Sequence, residues 1–310
     1  MFSIFTLYQP ENRTRKEVKH HVIPAEPIHI SVLTLNTWGL PFSTTKDQRF
    51  PVLCNEIKKI NADIVLLQEV WVKPDHKKVV QLCEYLYSTP FGIIPYIGRY
   101  SGLVILSKFP ILNMERINYT WDGNYPNLVK AALRVEINIH GQKVVIFNTH
   151  LTANMEVSLG NEHNIFGKVM FESDHEEHTR WAQLQTLTHH INKDVRFDKQ
   201  VILGGDLNTG PRYPLWYQWQ DLLKHRYTEM HDSMSYIKKV ESTYNNDFCS
   251  RDQGQLDHII GFGGPKIENS TVVFKEKHNM YFPFKKNKYK KAFISDHYGL
   301  LSTVEISREM

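Results

Sequence analysis

Acid, amide and imidazole side chains recur in this chain where short apolar runs end. IHISVLTL stops at Asn36, ADIVLLQ at Glu69, KVVIFNT at His150, and KQVILGG at Asp206 and Asn208. QL meets Asp257 with HII after it, and KAFIS runs into Asp296 and His297. Ends of neighbouring buried strands fall at one rim of a sheet or sandwich, so residues this far apart in sequence can converge. Their ligand atoms are carboxylate and amide oxygens and imidazole nitrogens, with no thiolate, a set that favours a hard cation such as Mg²⁺ or Mn²⁺. A phosphodiester needs such a cation, because charge on the phosphoryl and leaving oxygens must be neutralised as water attacks.

Each residue has a plainer account when taken singly. Asp206-Leu207-Asn208 would point both polar side chains one way along an extended segment, with Gly204-Gly205 allowing close backbone approach, yet G-D-x-N is often a turn whose Asp and Asn bond their own backbone. Glu69 in LLQEVW could be a buried carboxylate paired with Arg or Lys, and His150 a satisfied structural histidine. Those accounts would have to hold independently at every position, which is what favours the joint reading.

The elements that must position these residues alternate along the chain. RFPVLCNEIKKIN, HKKVVQLCEYLYS and HTRWAQLQTLTHHINKD repeat apolar residues three and four apart, as helices do. SGLVILS, ALRVEINIHGQKVVIFN and STVVFKE alternate around Gly or Asn, as strands and hairpins do. The expectation is an α+β fold: a four-layer α/β/β/α sandwich in which two mixed β-sheets pack face to face with helices outside. An irregular lead-in over 1–27 precedes a single catalytic domain over 28–310.

The chain has 310 residues, 41% of them apolar, ample for such a core, and its formal charge of +4 suits an anionic partner without requiring one. Cys54, Cys83 and Cys249 show no C-x-x-C spacing and read as small buried hydrophobes. MFSIFTLYQP is too short an apolar run for a signal peptide, and no segment has the roughly 18 apolar residues of a membrane span. The expectation is a soluble protein, cytoplasmic as synthesised, whose membrane contact is peripheral; a specialised export route would leave no mark. His175-Glu-Glu-His178 has the wrong spacing for H-E-x-x-H zinc binding and reads as a solvated helix start.

N-T-W-G-L-P at 36–41, L-L-Q-E-V-W at 66–71, S-G-L-V-I-L-S-K-F-P-I at 101–111, N-T-H-L at 148–151, G-G-D-L-N at 204–208, L-D-H-I-I at 256–260 and S-D-H at 295–297 together resemble the endonuclease/exonuclease/phosphatase superfamily. Within it they look most like neutral sphingomyelinases. The resemblance implies a DNase I-like sandwich and a Mg²⁺ cofactor, replaceable by Mn²⁺ or Co²⁺. It implies a metal site drawn from Asn36, Glu69, Asp206, Asn208, Asp296 and His297. His297 would act as general base with Asp257 fixing its tautomer, Asp296 would tune that network, and His150 would donate to a phosphoryl oxygen. Asp206 and Asn208 belong to the catalytic set as well. Lys130, in NLVKAAL, falls where relatives carry a substrate-contacting Lys preceded by Gly, but Val129 stands here instead.

The substrate implied is sphingomyelin or a related choline phospholipid, cut to ceramide and phosphocholine, with no obligate protein partner. Two alternatives stay open: a Mg²⁺-dependent nuclease acting on DNA or RNA, and a lipid-binding protein without catalysis. CSRDQGQLDHII lacks the W-C-D-R of inositol-phosphate relatives, and Trp38 stands where repair endonucleases usually carry an acid. In HNMYFPFKKNKYKKAF, Tyr281, Phe282 and Phe284 cluster with lysines, which suits a bilayer interface, an ordinary basic hairpin, or a nucleic-acid stacking platform. The stretch 154–177 reads either as a lid or as a satellite helix.

Overall fold

A computed structural model describes residues 26–40, 43, 45–92, 101–119, 130–153, 173–226, 230–233, 241–249, 254–281 and 289–308. Two six-stranded mixed sheets stack face to face. In the first, the strand order is β11 (Lys266–Val273), β14 (Gly299–Ile306), β1 (Ile28–Asn36), β2 (Ile64–Gln68), β4 (Val104–Ser107) and β3 (Tyr87–Ser88). In the second it is β5 (Ile111–Asn118), β6 (Ala131–Ile139), β7 (Gln142–His150), β8 (Gln200–Asp206), β10 (Asp257–Phe262) and β9 (Met230–Asp232). A separate two-stranded ribbon joins β12 (His278–Tyr281) to β13 (Tyr289–Ala292).

Parallel pairs need a crossover, and the helices supply it. Helix α1 (Lys46–Ile60) connects β1 to its parallel neighbour β2, and α3 (Ser173–Arg196) lies between β7 and its parallel neighbour β8. Strand period two then divides the side chains between layers. Val32, Ile64, Leu66, Ile146, Ile202 and Ile259 fill the space between the sheets. Leu33, Leu35, Val65 and Leu67 face the other way, onto Phe50, Leu53 and Ile57 of α1 and Val79 of α2 (Lys73–Cys83). Phe147, Leu203 and Ile260 do the same against Leu184, Leu187 and Ile191 of α3 and Leu215, Trp216, Trp219 and Leu223 of α4 (Pro214–Arg226). These are the four layers expected.

Two details depart from the sequence pattern. The helical spacing of HKKVVQLCEYLYS runs on to Ser88, but α2 ends at Cys83, with Glu84 left-handed at φ 60, and Tyr87–Ser88 pairs with β4 instead. Helix α4 was not foreseen, although its apolar residues recur at three- and four-residue spacing. The lead-in up to residue 25 and residues 154–172 of the suggested lid lie outside the described residues. Residues 175–178 fall in the first turns of α3. No helix among the described residues is long and apolar enough to cross a membrane.

Candidate active site

The pattern that fills the core also builds the site. On β1, β2, β7 and β8 the inward-facing apolar residues are even-numbered, and each row continues to a polar residue at the strand's end. Val32 leads to Asn36, Leu66 to Gln68, Ile146 to Asn148 and His150, and Ile202 to Asp206. Antiparallel β10 enters from the same rim with Asp257, two residues before Ile259. The backbone register holds the ends level: Asn36 pairs with Gln68, His150 with Asp206, and Asp206 with Asp257. Gly205, at φ 142, permits the close approach of β7, since a Cβ there would stand 2.0 Å from the Thr149 carbonyl oxygen.

A floor of amides separates this rim from the apolar core. Gln68 Nε2 donates to Asn148 Oδ1 at 2.8 Å, across the two sheets, and to Thr34 Oγ1 at 3.0 Å. Asn148 Nδ2 returns to the carbonyls of Leu67 and Val104 at 2.9 and 3.0 Å. Above the floor, Asn36 Nδ2 donates to Asp206 Oδ2 at 2.9 Å and to Glu69 Oε1 at 3.2 Å. His150 Nε2 lies 3.4 Å from Asp206 Oδ2 and 4.0 Å from Glu69 Oε1. His297 Nδ1 is bonded to Asp257 Oδ2 at 2.8 Å, and its Nε2 faces Asp206 Oδ2 at 3.6 Å. Glu69, its side chain 14% exposed, is the most open of the three acids that these contacts join, against 1% for Asp206 and 0% for Asp257.

The backbone turns sharply at this rim. Trp38, Glu69 and Asn208 are left-handed, with φ of 49, 63 and 48, conformations that cost non-glycine residues free energy and are held by neighbours. Trp38 N–H donates to Asn36 Oδ1 at 3.0 Å, which leaves the Asn36 NH₂ for the carboxylates. Asn208 N–H donates to Asp206 Oδ1 at 2.9 Å, while its Nδ2 donates outward to the Leu151 carbonyl at 3.0 Å. Thus the strand stops at Asp206, and the side chain of Asn208 braces the turn after His150 instead of following the alternation of an extended segment.

Electrostatics reflect several acids brought together out of water. Burial raises the pKa of Asp206 and, helped by the charge of Glu69, lifts that of Asp296 to about 7. Burial pulls His297 down, but Asp257, Asp206 and Asp296 outweigh it and push its pKa up to about 10. Burial, with the charges of Lys130 and His297, holds His150 well below the ordinary histidine value, so it is neutral. Burial also lowers Lys130 to about 8, against the pull of Glu69 and Asp206, and its Nζ stands 6.0 Å from the centroid of the Trp71 ring.

This donor set fits a divalent cation. A carboxylate oxygen from each of Asp206 and Asp257 and an imidazole nitrogen of His297 all lie within 4.8 Å of one another. Among the described residues, Asp257 Oδ1 and His150 Nδ1 are buried without a hydrogen-bond partner. Clustered buried carboxylates whose ionisation is opposed by burial are what a hard cation relieves.

Asn36, Glu69, His150, Asp206, Asp257 and His297 therefore meet at one rim, with Lys130 at its edge. Asp296 sits beside His297, its Oδ1 accepting from Ser295 Oγ at 3.2 Å, and Asn246 and Cys249 donate to its carbonyl at 2.9 and 3.1 Å. Tyr281 lies apart, on the ribbon, bonded through its backbone to Gln48 at 2.7 Å in both directions. Phe282 and Phe284 lie outside the described residues. Gln68, Asn148 and Ser295 were missed as positioning residues although each stands inside a quoted motif. So was Tyr244, whose ring meets His297 edge-on at 4.8 Å between centroids.

The model of the Endonuclease/Exonuclease/phosphatase family matches residues 33–297. The chain is 24% identical over 306 residues to the "Putative neutral sphingomyelinase" of Drosophila melanogaster, covering 90% of this chain and 61% of that protein. It is 25% identical over 236 residues to sphingomyelin phosphodiesterase 2 of Mus musculus, covering 72% of this chain and 50% of that protein. The chain thus spans between half and two thirds of the length of these two relatives. A mutant beta toxin from Staphylococcus aureus, solved with bound magnesium ions, shares the fold at a TM-score of 0.65 and 19% identity, with 91% of this chain and 100% of that one covered.

Proposed function

We propose, from the premise that this chain belongs to the endonuclease/exonuclease/phosphatase family, that it is a divalent-metal-dependent phosphodiesterase that hydrolyses sphingomyelin or a related choline phospholipid to ceramide and phosphocholine. One observation carries the reaction type: His297, oriented through Nδ1 by Asp257 at 2.8 Å, presents Nε2 to the same space that His150 Nε2, Asp206 and Asn36 border. The names of the sphingomyelinase relatives and the N-T-W-G-L-P segment at 36–41 support the lipid substrate.

Glu69 and Asp206 would hold the cation, with Asn36 orienting both carboxylates through Nδ2 and with Asp257, Asp296, His297 and Asn208 within the same network. When bound, the cation offsets the charge of the carboxylates and of the phosphodiester, which is the chemistry it supplies. The chain's own groups do the rest. Asp257 fixes the tautomer that leaves Nε2 of His297 as acceptor, and once a bound cation offsets the carboxylates that raise its pKa, that nitrogen can take the proton of the attacking water. The new bond joins water oxygen to phosphorus, and the bond that breaks runs from phosphorus to the ceramide oxygen, which takes up a proton from solvent while His297 releases its own. His150, kept neutral by burial, donates Nε2–H to a phosphoryl oxygen as charge develops there, and Lys130 adds a cation at the edge. Trp71, bonded to Glu69 through Nε1 at 3.4 Å, limits the freedom of that carboxylate.

The test uses purified protein with Mg²⁺, and then with EDTA, on sphingomyelin vesicles and on supercoiled plasmid. Phosphocholine release that EDTA abolishes is expected. Plasmid nicking without phosphocholine would make the protein a nuclease, and binding to vesicles with neither product would make it a lipid-binding protein.

A further inference from the structure

Among the described residues, Arg49 is the largest charged side chain with no exposed surface: it is 0% exposed, on the first turn of α1, in line with Leu53 and Ile57. A guanidinium is costly to bury unless its donors are matched. Here the matching groups come from the two loops that carry the site. Nη1 donates to the Thr37 carbonyl at 3.0 Å and to the Ile294 carbonyl at 2.9 Å. Nη2 donates to the Trp38 carbonyl at 2.7 Å and to Ser43 Oγ at 2.9 Å, and the guanidinium carbon lies 4.6 Å from the centroid of the Trp38 ring.

Thr37 and Trp38 follow Asn36 directly, and Ile294 precedes Asp296 and His297 by two and three residues. One planar group thus ties the turn after β1 to the segment before β14. A second stitch joins the same stretches, since Ser295 Oγ donates to the Asn36 carbonyl at 2.6 Å. The orientation then passes on through hydrogen bonds. Arg49 holds the Trp38 backbone, Trp38 N–H holds Asn36 Oδ1, and Asn36 Nδ2 is thereby aimed at Glu69 and Asp206.

We propose that Arg49 is a positioning residue of the cation site: its fork sets where Asn36 stands relative to Glu69, Asp206 and His297 without itself touching a ligand. The proposal rests on the reading of the site as a divalent-cation centre. A planar fork can meet carbonyls of two loops at fixed angles, whereas an ammonium, a single point charge on a flexible stem, cannot hold the same set. Groups that orient metal ligands from behind typically change metal affinity about 10–100-fold when replaced.

The experiment measures Mn²⁺ binding to the full chain by the electron paramagnetic resonance signal of free Mn²⁺, with no substrate present, for the parent, Arg49→Lys and Arg49→Met. Thermal unfolding is recorded for each, and binding is measured well below every midpoint. The expected result is a dissociation constant raised about 10-fold or more in Arg49→Lys, despite retained charge, and at least as much in Arg49→Met. If Arg49→Met does not fold, Arg49→Lys decides alone. A folded Arg49→Lys that binds Mn²⁺ within threefold of the parent overturns the proposal and leaves Arg49 a purely structural residue. A parent protein that does not bind Mn²⁺ removes the cation reading itself, and the proposal with it.

Discussion

Replacing Asp257 with Asn keeps shape while removing the charge that orients His297. Asp257 is 0% exposed and its Oδ2 lies 2.8 Å from His297 Nδ1, so solvent screens the pair poorly. A hydrogen bond to a charged partner contributes roughly 1.5–3 kcal/mol. Two unit charges about 4 Å apart at an effective dielectric of about 20 interact by about 4 kcal/mol. Between about 1.5 and 4 kcal/mol of support for the imidazolium that forms when His297 takes a proton is therefore at stake, or about 10- to 1,000-fold in kcat at 1.36 kcal/mol per decade. An Asn that turned its NH₂ toward Nδ1 would also favour the opposite tautomer, which moves the effect toward the upper end. The assay is phosphocholine release at saturating substrate and saturating Mg²⁺, alongside Mn²⁺ affinity. A kcat within threefold of the parent would refute the orienting role. So would a kcat that recovers fully at high metal with weakened Mn²⁺ binding, because Asp257 would then act as a ligand and not through His297.

His150→Gln should lower kcat about 10²–10³-fold with little change in KM, as expected for a donor used only in the transition state; equal losses in binding and turnover would contradict that. Glu69→Gln should weaken Mn²⁺ binding at least 10-fold, and unchanged titrations would remove it from the cation site. Gly205→Ala should cost about 2–5 kcal/mol in denaturant unfolding, from the left-handed backbone at φ 142 and a Cβ driven against the Thr149 carbonyl; a loss under 1 kcal/mol would mean that β7 and β8 separate easily. His76, bonded to the Thr89 carbonyl at 2.9 Å, is held by burial below the ordinary histidine pKa, so the unfolded chain protonates first. Its share of stability is full above about 6.5, the ordinary value, and is lost as pH falls through the folded value. The parent's thermal midpoint should drop more than that of His76→Gln between pH 7.5 and 5.5, and parallel curves would exclude this group.

Convergence of the site was legible because strand period two is arithmetic: an inward apolar row that ends in Asn36, His150 or Asp206 must deliver that side chain to the same layer. What followed the strand ends was not legible. Trp38, Glu69 and Asn208 adopt left-handed turns that nothing in their residue types demands, and those turns decide that Asn208 braces Leu151. The Gln68–Asn148 bridge joins residues 80 apart in sequence, and only the packing of two sheets brings them together. Arg49 left a readable trace, a charged residue in the 49–53–57 row of an otherwise apolar helix face, whose meaning depended on the loops above it. The end of α2 was misread because Tyr85 and Leu86 prolong a helical spacing while the chain satisfies β4 instead.

Strand β1 lies between β2 and β14 and pairs with β14 over seven residues, from Ile28 opposite Ile306 to Thr34 opposite Leu300. Synthesis thus delivers β1 long before the neighbour that completes it, which follows His297 in the chain. During synthesis, Asn36, Glu69 and His150 emerge well before His297, which they meet at the rim only later. The rim is incomplete until β14 docks, and the first sheet must wait for contacts as distant in sequence as that of Ile28 with Ile306, a topology that slows the search.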